Sequence, residues 1–128
     1  MAHRAAELHP LARLTLDCAA AGDCVLLGKG CSAILPPERM LSVRIWAPLP
    51  LRVRYFAQKY GVSRAEAERQ ALERDVGRRD YMSANYGVDS LDPARYDVAV
   101  NVDAVGQEGA AELIAAAARA RVAALAVR

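Results

Sequence analysis

Short apolar segments alternate with helical segments along this chain, and this alternation restricts its fold more than any other feature. The strand-like segments are Cys24–Leu27, Val43–Ala47 and Asp97–Val102. A short apolar run between turn signals is typical of a strand that is buried on both faces of a parallel sheet. At 128 residues, the chain is also long enough for one domain with a core of its own. The sequence therefore predicts one α/β domain over residues 1–128, with a parallel sheet and flanking helices.

The longest predicted helix has a clear start signal. Ser63 and Glu66 have the spacing of a capping box, in which each side chain satisfies a free backbone N–H of the first turn. The helix is expected to run from about Arg64 to about Ala84, and Gly87 closes it. Three further helices are predicted: one opened by His9-Pro10, one spanning Leu51 to Tyr60 and one following Gly106. The residues before His9 are expected either to extend the first helix weakly or to fray.

Charge and hydropathy exclude some broad classes of function. The net charge is only +2, so general nucleic-acid binding is not predicted. No apolar run approaches the length of a membrane span, and Met1–Arg4 leads into no apolar stretch typical of a secretory signal. The cytoplasm is the expected location. The single Trp46 is expected to lie in the core at the end of a strand.

The cysteines and histidines do not have the spacing of a metal site. Cys18, Cys24 and Cys31 form no Cys-x-x-Cys pair, and His3 and His9 lie apart from them. No metal site is predicted, and buried free thiols are expected.

A cluster of charges occupies the second half of the long predicted helix. Arg74, Arg78 and Arg79 fall within two turns, and Asp75 and Asp80 partly offset them. Two interpretations are open from these residues alone. The cluster is either a solvated helix face with intrahelical ion pairs or an arm that faces an anion.

Four pieces of the chain, taken in order, resemble the cytidylate kinase-like family of nucleoside monophosphate kinases, and the resemblance extends from about Leu11 to Ala118. The pieces are Gly28-Lys29-Gly30 after the first strand; Ala47-Pro48 with Arg52 after the second; Asp75, Arg79 and Tyr81 in a D-x-x-x-R-x-Y pattern; and Tyr86-Gly87 followed by Asp92-Pro93 and Tyr96–Asn101.

The resemblance implies a three-layer P-loop nucleoside kinase fold with a helical lid arm at about residues 63–87. Arg74 and Arg79 would be the catalytic residues of that lid, closing over the transferring phosphate and stabilising its charge. Such a role suits guanidinium groups, since phosphoryl transfer depends mainly on positioning and on charge stabilisation.

The resemblance also implies a set of substrate-binding residues and ligands. Lys29, flanked by Gly28 and Gly30, would contact the phosphate of the acceptor nucleotide, as a point charge where the family usually has arginine. The remaining members of the set would be Arg52, Asp75 and Tyr81. The implied ligands are ATP, Mg²⁺ and a pyrimidine nucleoside monophosphate.

One element of the family is absent from these 128 residues, namely the first strand with its Gly-rich phosphate loop. Gly22 to Lys29 is one residue too long for Gly-x-x-x-x-Gly-Lys-Ser/Thr, and Gly30 stands where the hydroxyl residue belongs. Without that strand, sheet edges are expected to be exposed. The chain is thus a truncated product, a divergent remnant or one part of an assembly, formed with its own copies or with a complementing chain.

Three functions remain open at this point. The first is a nucleoside monophosphate kinase-like protein that is inactive alone for want of the loop. The second is a non-catalytic regulatory or interaction module on the same scaffold. The third is a small α/β domain unrelated to kinases.

Overall fold

A computed structural model describes residues 2–28 and 30–127, and it describes side chains from Pro10 onward. Two short 3₁₀ turns, Pro37–Arg39 and Pro93–Arg95, accompany the helices and strands. In chain order the α-helices and strands are α1 (Ala2–Ala21), α2 (Cys31–Ile34), β1 (Val43–Trp46), α3 (Leu49–Tyr60), α4 (Arg64–Tyr86), β2 (Val98–Asn101) and α5 (Val102–Ala126).

The chain divides into two compact units. One comprises the stretch up to Met40 together with Arg78–Arg95, and the other comprises Leu41–Gly77 together with the stretch from Tyr96 onward. Helix α4 therefore contributes its first part to the second unit and its last part to the first. The single-domain organisation and the lid arm at about residues 63–87 stay predictions.

A parallel sheet of two strands lies in the second unit. Strand β1 pairs with β2 from Val43 opposite Val98 to Trp46 opposite Asn101. Just before the strands, the Ser42 N–H donates to Asp97 Oδ2 at 2.8 Å, and the Asp97 N–H donates to the Ser42 carbonyl oxygen at 2.8 Å. The predicted α/β class with a parallel sheet and flanking helices is confirmed, and so are two of the three predicted strands.

The core of the second unit forms where α3 meets α4. Val53 and Phe56 of α3 are buried together with Ala67 and Ala71 of α4, and Ala67 has no exposed surface. Helix α5 packs on both strands of the sheet.

The long helix follows its sequence signals closely. The Glu66 N–H donates to Ser63 Oγ at 3.1 Å, so the predicted cap is present. At the other end Gly87 has a φ of 65°, which favours glycine, and its N–H donates to the Ser83 carbonyl oxygen at 2.9 Å. Neither α4 nor any other described helix is long and apolar enough to cross a membrane.

The strand predicted at Cys24–Leu27 is wrong. The segment lies outside the sheet, and the side chains of Val25 and Leu27 are 96% and 92% exposed. A strand is stabilised by hydrogen bonds to a neighbouring strand, and no described backbone group pairs with this segment. The sheet accordingly has two strands where three were predicted.

Helix α1 extends before His9, from Ala2, so Pro10 lies inside it, and the helix lacks the hydrogen bond that the Pro10 nitrogen cannot donate. Two smaller expectations fail. Trp46 is 39% exposed, because it ends a strand that has only one neighbour in the sheet. Cys24 is exposed because the segment that carries it joins no strand. The sequence also predicts that the His3 and His9 side chains are exposed, and these side chains lie outside the described residues.

The Ser63 cap gives a direct test of the α4 start. Replacement Ser63→Ala leaves the Glu66 N–H without its side-chain acceptor, and we expect a loss of about 1 kcal/mol in the free energy of unfolding. Urea denaturation followed by far-ultraviolet circular dichroism measures this loss. Ser83→Ala is the matched control, because Ser83 is an exposed residue within the same helix. Equal stabilities of the two variants would contradict a capping role for Ser63.

Candidate functional site

The predicted site residues are divided between the two units. Arg52, Arg74 and Asp75 belong to the second unit, and the first contains Gly28, Gly30, Arg79 and Tyr81. Lys29 lies outside the described residues.

Arg52 is held by charged and backbone partners. It lies in the first turn of α3, where its Nε donates to the Ala47 carbonyl oxygen at 3.1 Å. Its two terminal nitrogens donate to the two carboxylate oxygens of Asp75 on α4, at 2.9 and 3.0 Å. Both side chains are about one-third exposed, at 38% and 35%. The structure thus brings these two predicted residues together, as a fork that links the end of β1, the start of α3 and the middle of α4.

Arg74, one residue before Asp75, lies over aromatic rings. Its guanidinium carbon is 4.8 Å from the centre of the Phe56 ring and 5.6 Å from that of Tyr60. A hydrogen bond with Arg74 lowers the pKa of Tyr60, and the positive charge of Lys59 lowers it further. Arg74 therefore covers the aromatic side of the α3–α4 core in this structure.

Arg79 is held much more loosely than Arg52. Its Nε lies 3.6 Å from Asp89 Oδ1, beyond ordinary hydrogen-bond length, and the two side chains are 58% and 52% exposed. Asp89 Oδ1 also accepts the Leu91 N–H at 3.0 Å. The guanidinium of Arg79 is therefore accessible to an anion from solvent.

The Gly28–Gly30 turn leads into α2 and packs against a tyrosine. Gly28 carbonyl oxygen accepts the Cys31 N–H at 3.2 Å, which starts the turn of α2. Gly30 has a φ of 74°, and a Cβ at this position would collide with the Tyr86 ring. Only glycine fits both the backbone conformation and the space, so Gly30 allows this turn to lie close to the Tyr86 ring.

Tyr81 also packs against Tyr86. The two ring centres are 6.1 Å apart at an interplanar angle of 74°, which is an edge-to-face contact. Burial raises the pKa of Tyr86 to about 12, and the hydrogen bond with Tyr81 raises it as well. Gly30 and Tyr81 thus contact the same ring, although Tyr86 was not among the predicted site residues.

A cleft at the carboxyl ends of the strands has a lining that sequence reasoning did not predict. Its volume is about 490 Å³, and no predicted site residue lines it. The rule that ligands bind beyond strand carboxyl ends indicates its place, because Pro48 follows β1 and Asp103 follows β2. Neither arginine of the cleft belongs to a sequence motif. The lining residues are Pro48, Pro50, Leu51, Arg54, Ala57, Gln58, Arg64 and Asp103.

In the part of the chain that the structure describes, the side chains that could bind a metal do not form a metal site. No group of three or more His, Cys, Asp or Glu side chains is close enough there to hold an ion. Magnesium that is bound together with a nucleotide needs only one or two carboxylates, because phosphate oxygens and water complete its shell. No described residue is therefore assigned to the ion.

Comparison with known proteins gives a match over most of the chain. A family model described as the cytidylate kinase-like family matches residues 2–104. This span contains all eight predicted site residues, which lie between Gly28 and Tyr81.

Three curated relatives are all named cytidylate kinase. The protein of Thermococcus sibiricus is 31% identical over 116 residues, which cover 88% of this chain and 60% of that protein. The protein of Pyrococcus horikoshii is 29% identical over 119 residues, with the same two shares. The protein of Sulfolobus acidocaldarius is 31% identical over 74 residues, covering 58% of this chain and 41% of that protein. The chain thus spans about 60% of the length of the first two relatives.

The Arg52–Asp75 fork gives a prediction about stability. A double-mutant cycle with Arg52→Lys and Asp75→Asn is expected to show a coupling energy of about 1 kcal/mol, because the paired geometry is bidentate and partly buried. Urea unfolding of the four proteins measures it. The control cycle uses Arg79→Lys and Asp89→Asn, for which about 0.2 kcal/mol or less is expected. A larger coupling in the control cycle would contradict the ranking of the two pairs.

The tyrosines give a prediction about pH. Tyr60 is expected to ionise below the usual pH range of a phenol, and Tyr86 above it, with a pKa of about 12. Because the folded state holds the Tyr86 proton more tightly than the unfolded state, the resulting stabilisation is complete below pH 10 and is lost as the pH rises from about 10 to 12.

Near-ultraviolet absorbance of the phenolate follows this titration, with circular dichroism recorded in parallel to detect unfolding. Tyr86→Phe is expected to remove the last step of the absorbance curve, and Tyr60→Phe to remove an early step. Loss of an early step in Tyr86→Phe would show that partial burial does not raise the pKa of Tyr86.

Proposed function

The chain belongs to the cytidylate kinase-like family, and we propose that it binds a nucleoside monophosphate as part of a site for phosphoryl transfer from ATP. The observation that carries this proposal is the family match over residues 2–104, which includes every residue of the predicted site. The three curated relatives are named cytidylate kinase, so cytidine monophosphate is the first ligand to test. ATP and Mg²⁺ are the other ligands that the family implies.

Arg79 is the residue we assign to phosphate charge in this site. Among the described residues, its exposed guanidinium contacts Asp89 at 3.6 Å, so a phosphate would displace little. Paired N–H groups of arginine suit phosphate oxygens, and developing negative charge in phosphoryl transfer needs such donors. Arg74 is proposed as the second lid residue, which would leave the Phe56 ring when ligand binds.

The turn at Gly28–Gly30 is proposed to approach the acceptor phosphate. A glycine at each end lets the backbone come close to a ligand, and Lys29 supplies the positive charge. Tyr81 and Gly30 both lie against the Tyr86 ring, so these two predicted residues lie around the same side chain. Arg52 and Asp75 are proposed to position α3 and α4, because their polar atoms already bind each other.

Phosphoryl transfer by these 128 residues alone is not part of the proposal. They contain no Gly-x-x-x-x-Gly-Lys-Ser/Thr sequence, so backbone N–H groups to hold the ATP phosphates are not provided here. We propose that the loop comes from another polypeptide segment and that these residues contribute the acceptor side. A purely regulatory or interaction role on the same scaffold is the alternative that the experiment below separates.

Thermal unfolding in the presence of cytidine monophosphate tests the binding proposal. Ligand at about one hundred times its dissociation constant stabilises the folded state by about 2.7 kcal/mol, which raises the melting temperature by several degrees. Arg79→Ala is expected to abolish this rise. Arg119→Ala is the matched control, since Arg119 is exposed on α5 outside the family match.

Three other results would contradict the proposal, each in a different part. No rise at millimolar ligand in the unsubstituted chain would reject nucleotide binding and favour the interaction role. A rise that survives Arg79→Ala but is lost in Arg54→Ala would move the ligand to the cleft that Arg54 lines. Transfer of phosphate from ATP and Mg²⁺ by the purified 128 residues would show that no further segment is required.

A further inference from the structure

Two of the three cysteines come together where α1 ends. The helix stops at Ala21, and Asp23, with a φ of 48°, turns the chain back toward it. This turn places the Cys24 thiol 3.4 Å from the carbonyl oxygen of Cys18, to which it donates a hydrogen bond. The carbonyls of a last helical turn lack a backbone partner, so the thiol caps this end of the helix.

The contact sets an upper limit on the distance between the two residues. A carbonyl oxygen lies about 2.4 Å from the Cα of its own residue by standard bond lengths. The Cys24 sulfur is therefore within about 5.8 Å of the Cys18 Cα. The Cα atoms of disulfide-bonded cysteines are about 4.4 to 6.8 Å apart, a separation that this limit allows, and rotation of both side chains together with a backbone shift would bring the sulfurs into bonding range.

The surroundings of the three thiols differ in a way that favours this pair. Cys24 is exposed and Cys18 is half-buried, so an oxidant in solvent reaches the pair through Cys24. The third cysteine, Cys31, is half-buried, and its sulfur lies 3.6 Å from the hydroxyl of Thr15, which is 2% exposed. Cys31 is thus held at the buried side of α1, whereas the sulfur of Cys24 lies at the helix end.

We propose that Cys18 and Cys24 form a reversible disulfide when the protein meets a peroxide. The Cys24 thiol loses its proton, and the thiolate attacks one peroxide oxygen, which breaks the O–O bond and gives a sulfenic acid and a hydroxide that takes up the proton to form water. The Cys18 thiol then attacks the sulfenic sulfur and displaces a second water. Two thiols and one hydrogen peroxide give one disulfide and two waters, and a dithiol reductant returns the disulfide to two thiols while it is itself oxidised to a disulfide.

The disulfide would change the segment that leads to Gly28–Gly30. In the reduced protein a thiol-to-carbonyl hydrogen bond holds Cys24, and Val25 and Leu27 are exposed beyond it. A covalent link would fix Cys24 to the last turn of α1. The proposal concerns this pair alone and does not depend on nucleotide binding.

Peptide mapping of the oxidised protein tests the pairing. Combined cleavage at Lys or Arg and before Asp separates the cysteines into the peptides Asp17–Gly22, Asp23–Lys29 and Gly30–Arg39. After treatment of the folded protein with stoichiometric hydrogen peroxide, we expect the first two peptides to be joined and the third to carry a free thiol. A dithiol reductant is expected to separate the joined peptides.

The same oxidation in concentrated urea is the control. It shows which cysteines pair when only their separation along the chain matters and the folded structure is absent. Cys18 and Cys24 are six residues apart and Cys24 and Cys31 are seven apart, so loop closure in an unfolded chain barely distinguishes these two pairs. We expect both pairings in comparable amounts in urea and several-fold selectivity for Cys18–Cys24 in the folded protein.

Two results would overturn the proposal. One is that the folded protein forms the Cys24–Cys31 link in place of the Cys18–Cys24 link, or forms both links in equal amounts. The other is oxidation of Cys24 to sulfinic acid with Cys18 still free. A Cys31→Ser variant keeps both proposed partners, and it must form the same link as the unsubstituted chain. A Cys18→Ser variant must lose the link and accumulate singly oxidised Cys24.

Discussion

Register in the two-stranded sheet depends on the pairing of Ser42 with Asp97. The two residues exchange hydrogen bonds at 2.8 Å just before the strands begin, and the Val98 N–H also donates to the Ser42 carbonyl oxygen at 3.2 Å. Ser42 is only 5% exposed, so its polar groups need these partners. Because the strands are parallel, fixing their first residues also aligns their carboxyl ends. The segments that follow, with Pro48 and Asp103, then line one cleft.

Elements with local signals could be predicted from the sequence. Ser63 and Gly87 bound α4 because a cap and a left-handed turn depend on neighbouring residues in the chain. The apolar runs of β1 and β2 predict these two strands, and in the structure each strand pairs with the other. The segment Cys24–Leu27 has an equally apolar run but no described partner, so its sequence alone could not decide whether it pairs.

The candidate site was harder to predict than the fold, because the roles of its arginines depend on residues distant in the chain. In the sequence, Arg74 and Arg79 are both charged residues in the second half of α4, and the helical pattern does not distinguish their roles. Their neighbours differ, since Arg74 meets two aromatic rings of α3 and Arg79 meets a single carboxylate at 3.6 Å. The arginines that line the cleft were not predicted for a related reason, because Arg54 and Arg64 come from two helices and belong to no motif.

The existing partners of each arginine determine what a phosphate would gain by binding it. Arg52 would have to give up two short hydrogen bonds to a carboxylate, and Asp75 would lose a partner within a partly buried contact. Arg74 would have to leave the face of Phe56 and expose part of the core of the α3–α4 contact. Arg79 would exchange one long contact with an exposed carboxylate for short charge-assisted hydrogen bonds. Among these three residues, the net gain is therefore greatest at Arg79, and this ranking follows from the partners that each side chain already has.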